Sequence, residues 1–288
     1  MNISDKILCV GLRTSCLGTT AQDREATAEV VAKYGATTGN MAVTKTILRD
    51  ALKPAKQRRA KARTWFNSVT LPGISEDLRI TTPARLVEIR ERIDQFRKED
   101  QEGVDNVLIP NYEVYKDADR PRLGTAYDPN LYPDPLDLQS HFDILLTTTD
   151  MPSGDYARIQ GLTASAQAKM QEDHQKMLQQ IGTAAKNEVM KKLAELVGHI
   201  AEKLSNPNAE KFFESTFGNL KDYLAMVPDL NITNDPTLES IRREAVEKLD
   251  FSMKQVKDSA FLKEQAAAAA KNLLSRFGAQ GGNRKLLI

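Results

Sequence analysis

Cysteine is nearly missing from these 288 residues. Cys9 and Cys16 are too few and too close together for a disulfide framework or a four-ligand zinc site, and they read as buried free thiols. A dominant charge is missing too. The 40 basic and 39 acidic residues leave a net charge of +1, so no global field draws the molecule to nucleic acid or to an anionic membrane, and any such binding must be local. No apolar run approaches the roughly 18 residues of a membrane span. Residues 1–11, with Asp5 and Lys6 around a short apolar run, lack the apolar core of a signal peptide, so residence in the cytoplasm is the expectation.

Catalytic signatures are equally scarce. The three histidines, His141, His174 and His199, lie far from either cysteine, and no nucleophile elbow surrounds a serine. Gly11, Gly18, Gly35 and Gly39 form neither a GxGxxG fingerprint nor a P-loop. Hydrolytic catalysis and nucleotide hydrolysis are therefore disfavoured, and no cofactor is implied. A divalent-metal site has one set of candidates, Asp128, Asp134, Asp137, His141 and Asp143. Their spacing matches no calcium loop, and Asp134 and Asp137 serve equally well as cap and first-turn residues of a short helix begun by Pro135, so no metal is assigned. Glu113 and Lys116 hint faintly at metal-dependent nuclease chemistry, but three-residue spacing puts them on opposite faces of a strand.

What is present is helix. Hydrophobic residues make up 41% of the chain, enough for a core. Residues 6–12 (KILCVGL) suit a buried strand, and residues 21–34 a helix between Thr20 and Gly35. Residues 43–69 read as two helical segments interrupted at Pro54, and Thr82 with Pro83 opens a helix whose apolar positions are Leu86, Ile89, Ile93 and Phe96. Residues 104–115 show no helical period. YDPNLYPDP at 127–135 predicts an ordered irregular loop, and Phe142, Ile144, Leu146 and Thr148 alternate as a half-buried strand.

From residue 163 to 204 one long helix aligns Leu178, Ile181, Ala185, Val189, Leu193, Leu196 and Ile200, ending at Asn206 and Pro207. Phe213, Phe217, Leu220, Leu224 and Val227 form a narrow seam closed by Pro228. Asp235 and Pro236 start the next helix, and a last one reaches Phe277. The expectation is an α+β protein, predominantly α: a mixed N-terminal domain with a small sheet (residues 1–155), an antiparallel helical bundle (156–277) and a flexible tail (278–288) ending in NRKLLI, which has the makings of a docking peptide.

Two surfaces are candidates for binding. Residues 45–63 hold eight basic side chains against Asp50 alone. If the two helical segments are coaxial, Lys45, Arg49, Lys53, Lys56, Arg59 and Arg63 form one stripe, with Trp65 nearby for stacking, suited to nucleic-acid phosphates or an acidic protein surface. The ordinary alternative is a solvated helix face whose aromatic end enters the core. Phe213, Phe217, Leu220 and Leu224 form either an intramolecular core or an interface between copies in a homo-oligomer.

Four stretches, KILCVGL at 6–12, YDPNLYPDPLDLQSHFDILL at 127–146, MPSGDYARI at 151–159 and FFESTFGNLKDYLAMVPDLNITNDPTL at 212–238, resemble uncharacterised phage and prophage proteins of the DUF3150 type. Such proteins look like neighbours of MoxR-type AAA+ ATPases and von Willebrand A-domain proteins. The resemblance implies a non-catalytic phage accessory or adaptor protein acting through protein contacts in the host cytoplasm, and it supplies no catalytic residues.

Overall fold

A computed structural model describes residues 3–37, 39–156, 159–205, 213–249 and 260–280. The protein is α+β and mainly α, with a three-stranded sheet, a two-stranded sheet and helices in the C-terminal half. It divides into two compact units that interleave along the chain. One comprises Met1–Val10, Thr70–Leu86 and Thr148–Ile288, the other Gly11–Val69 and Val87–Thr147. A single cut at residues 155–156 was the expectation; instead the helical unit also takes in segments before residue 90.

The helical unit is built on α5 (Ala164–Ser205), α6 (Phe213–Leu230), α7 (Pro236–Leu249) and α8 (Ala260–Gln280). Helix α5 starts where the Thr163 hydroxyl accepts the Ala166 amide at 3.2 Å, as an N-cap does. Its whole predicted stripe, from Leu178 to Ile200, is buried together with residues of α6, α7 and α8, because a core between helices forms only when each helix turns one apolar face inward. Pro228 does not end α6. Its ring lies on the exposed side, and burial of Val227 and Leu230 carries the helix through Leu230. Helix α8 likewise continues to Gln280, past the Phe277 expected from sequence. The predicted break at Asn206 and Pro207 and the tail segment NRKLLI lie outside the described residues.

The corner between α6 and α7 is a hydrogen-bonded box. Asn231 Oδ1 accepts the Asp235 amide at 2.8 Å, Asn231 Nδ2 donates to the Asp235 carbonyl at 3.1 Å, and Asn234 adopts a positive φ of 52°. Asp235 then caps α7 as the sequence predicts, accepting the Thr237 and Leu238 amides at 2.9 and 3.0 Å. The Lys186 ammonium, at 2.5 Å, and these amides hold the Asp235 carboxyl below its usual range. Arg242 and Arg243 pull Glu239 down to about 2. Both folded-state values lie below the ordinary ~3.9–4.3 of unfolded carboxylates. Their stabilisation is thus complete above that range and is lost as pH falls toward 2. Melting temperature should fall between pH 4 and 2, and Asp235→Asn should flatten that fall; an unchanged slope would remove this assignment.

In the three-stranded sheet the order is β4-β1-β5, with β1 at Leu8–Ser15, β4 at Arg79–Thr81 and β5 at Asp143–Asp150. Strands β1 and β4 pair antiparallel, Cys9 opposite Ile80. The first strand starts two residues later than expected, after a 3-10 turn at Ile3–Lys6, and runs on to Ser15. On β5 the alternation holds only at first: Phe142 and Ile144 are buried, Leu146 is half-buried and Thr148 is exposed.

In the mixed unit β2 (Thr20–Asp23) pairs antiparallel with β3 (Val43–Thr46), and α1 (Arg24–Tyr34) joins them. The helix expected from residue 21 begins later because Asp23 is its cap, accepting the Ala26 amide at 3.0 Å. Its end is as expected, Gly35 taking the left-handed conformation at φ 59°. Helix α2 (Arg49–Val69) runs unbroken through Pro54. Proline removes one backbone bond, yet it sits exposed near the helix start, and burial of Ala51, Leu52, Ala55, Ala62, Phe66 and Val69 holds the helix together.

Residues 43–46 are strand rather than helix because Leu48, at φ 49°, turns the chain before α2. The buried Asp119 carboxylate fixes that turn, accepting the Leu48 amide at 2.6 Å and the Tyr132 hydroxyl at 3.1 Å. Helix α3 (Pro83–Gly103) follows Thr82, whose carbonyl accepts the Arg85 and Leu86 amides, and buries Ile89, Ile93 and Phe96 as predicted. Residues 104–115, without a helical period, become a π-helical turn at Val104–Leu108 and the start of α4 (Tyr112–Leu123). The proline-rich loop is ordered through short 3-10 turns.

Candidate partner-binding face

Eight basic residues between positions 45 and 63 do not form the single stripe that coaxial helices would give. Lys45 is on β3, where it donates to the Ala126 carbonyl at 2.6 Å and faces Asp23 at 3.6 Å. Arg59 points inward. Only 6% exposed, it pairs with Asp100 at 2.5 Å and donates to the carbonyls of Ser15 and Ala55 at 2.7 and 3.0 Å. Arg58 binds the other oxygen of Asp100 at 3.0 Å. Its guanidinium lies only 2.5 Å from where a Cβ on Gly103 would stand, so glycine there leaves it room.

What remains is a narrower face. At about 100° per residue, Arg63, Lys56, Arg49 and Lys53 fall within an arc of about 80° on α2. All four are exposed. Lys56 donates to the Thr19 hydroxyl at 2.7 Å, and Arg63 to the Leu12 carbonyl and Thr14 hydroxyl at 3.3 and 3.4 Å. Arg49 and Lys53 make no ion pair among the described residues, and Asp50 is taken by Arg122 at 2.9 Å. Trp65 is no free stacking platform. Its ring leans on Phe96, centroids 5.9 Å apart, and Phe96 also carries the Arg92 guanidinium at 4.5 Å.

The remaining candidates have structural duties. Phe217, Leu220 and Leu224 are buried in the helical core, so this seam is intramolecular in the described fold; the Phe213 side chain lies outside the described residues. Asp128 accepts the Asn130 amide, Asp134 the Leu136 amide, and Asp143 pairs with Arg97 at 2.9 Å. No group of three His, Cys, Asp or Glu residues is placed to hold a metal ion among the described residues. Glu113 and Lys116 sit on α4 instead of a strand, where three-residue spacing brings them onto one face as a 3.0 Å ion pair.

His174 is buried against Gly154, whose φ is +72° and where a Cβ would come within 2.4 Å of the imidazole. Gly154→Ala should therefore cost about 1–3 kcal/mol, read from the thermal midpoint; an unchanged midpoint would show that the turn relaxes. Both cysteines are free thiols, Cys9 buried as expected and Cys16 only half-buried, and burial raises the thiol pKa of each.

Sequence reasoning missed Asp100 and Asp119, the carboxylates that set α2 in place. Each lies in a stretch of mixed charge, and nothing local marks it as buried. Compared with family models, curated proteins and solved structures, the chain matches none. Among the described residues no helix is long and apolar enough to cross a membrane.

Proposed function

We propose that this chain is a non-catalytic accessory protein that acts by contact with a protein partner, docking the exposed basic face of α2 on an acidic surface. The observation that supports this best is the grouping of Arg49, Lys53, Lys56 and Arg63 on one exposed arc, with Asp50 engaged by Arg122. Charge complementarity of this kind steers encounter and fixes orientation. Two features favour a protein over nucleic acid. Trp65 rests on Phe96, and the departure of Lys45 and Arg59 leaves four of the six expected cations in line. The resemblance to phage proteins of the DUF3150 type makes a MoxR-type AAA+ ATPase, with a von Willebrand A-domain protein beside it, the partner class to try first.

Nucleic-acid binding is the second reading, favoured by the linear spacing of the same cations over about 21 Å of helix. A salt series separates the two. For nucleic acid, four phosphate contacts give a log-log affinity slope of about −3 on a single strand. A protein-docking role predicts a slope near zero with nucleic acid, together with binding to the purified ATPase that Lys53→Glu weakens. A slope near −3, with no ATPase binding, would reverse the assignment.

A further inference from the structure

The four exposed cations of α2 are regularly spaced. Arg49, Lys56 and Arg63 follow one another at intervals of seven residues, and Lys53 stands four after Arg49 and three before Lys56. Seven residues fall about 20° short of two full turns, so the row drifts slowly round the axis of α2, as a heptad seam does. A second helix crossing at about 20° follows that drift. An extended strand fits it poorly. Its same-side residues recur every ~6.8 Å, whereas the cations stand at heights of about 0, 6, 10.5 and 21 Å along α2, which puts Lys56 midway between two strand positions.

We infer that the acidic surface received by this face is an α-helix, carrying carboxylates at intervals of seven and of three or four residues on one side and laid along α2 at a shallow angle. The inference rests on the reading that the face binds an acidic protein surface. In such a pair each carboxylate meets a cation at the same height, as charged flanking residues do between the helices of a coiled coil. The exposed Ala60 falls inside the arc of the row, between Lys56 and Arg63 along the axis, and its methyl group leaves that interval open to a partner side chain. Lys56 is steadied by the Thr19 hydroxyl and Arg63 by the Leu12 carbonyl. Each keeps further N–H donors for a carboxylate while losing less freedom on binding. Lys61 is exposed but falls about 80° or more away from every member of the row around the helix, which makes it the internal control.

The probes are three fluorescein-labelled, alanine-based peptides with five glutamates each, titrated at low salt against the full chain. In the first the glutamates stand at i, i+4, i+7, i+10 and i+14, a set that offers the register in either chain direction. The second spreads them evenly round the helix, and the third is the first with central prolines that abolish helix. The first should bind about fivefold or more tighter than the other two. Lys53→Glu and Lys56→Glu should each weaken it about three- to fivefold, and Lys61→Glu by less than about twofold. If the three peptides bind alike and Lys53→Glu weakens all of them, this inference falls and the basic-face reading stands. If no peptide responds to Lys53→Glu, both fall. Equal losses from Lys53→Glu and Lys61→Glu would mean that net charge drives binding, and would overturn the inference. Circular dichroism controls for folding, with Lys56→Gln, expected to lose about twofold, as the milder variant.

Discussion

Replacing Asp100 by alanine should lower the stability of the mixed unit by about 3–5 kcal/mol. Asp100 is 1% exposed, and its two oxygens hold the guanidinium groups of Arg58 and Arg59. Removing it leaves Arg59 as a buried cation with only the Ser15 and Ala55 carbonyls as acceptors. The loss is large because desolvating an unpaired charge is costly, not because the intact pair contributes that much. A double replacement, Arg59→Met with Asp100→Leu, should therefore recover most of the loss. Trp65, the only tryptophan, packs between α2 and α3 on Phe96, so its fluorescence in a urea titration reports this unfolding directly. A shift worth less than about 1 kcal/mol in the single variant would mean that water reaches the pair and that Arg59 is not held as described.

The second large effect is expected in the helical unit. Leu193→Ala should cost about 2–5 kcal/mol, because Leu193 is fully buried midway along the α5 stripe, in the cluster that includes Leu220, Ile241 and Leu273. Truncation removes transfer energy and leaves a cavity that closely packed helices cannot easily close. The neighbouring Lys192 carries only an exposed pair with Glu195 at 3.7 Å, so Lys192→Ala should change stability by less than about 1 kcal/mol. Loss of helical circular dichroism against urea measures both. Equal midpoints for the two variants would contradict the assignment of the stripe to the core.

The helical unit was the most legible part of the sequence. A stripe repeated from Leu178 to Ile200 on α5, and a capping aspartate followed by proline at Asp235 and Pro236, are local signals, and local signals survive folding unchanged. Prolines misled where they were read as stops. At Pro54 and Pro228 the buried face on either side outweighs one missing backbone bond, and that weight depends on tertiary contacts a local pattern does not contain. The strand at Val43–Thr46 was hidden for a similar reason: the positive φ at Leu48 that ends it is held by Asp119, 71 residues away.

The candidate face was half legible. Its cations lie within one 15-residue stretch of sequence, and four of the six predicted residues remain together on α2. Arg59 could not be set apart by composition, because the carboxylate that draws it inward, Asp100, is 41 residues distant. The same long-range pairs make the face rigid. Helix α2 is fixed at its start through Leu48 and Asp119 and at its middle through Asp100, so its exposed cations keep a constant spacing.

A photo-crosslinking amino acid placed at position 53 tests the central claim most directly, with position 243 on α7 as the control. Both sites are exposed, and only the first lies on the basic face. The account predicts a discrete protein adduct at position 53, absent at 243, whose crosslinked peptide maps to an aspartate- and glutamate-rich surface and disappears when Arg49 and Lys56 are changed to glutamate. Adducts of equal yield at the two positions, or an adduct at 53 consisting of nucleic acid, would contradict it.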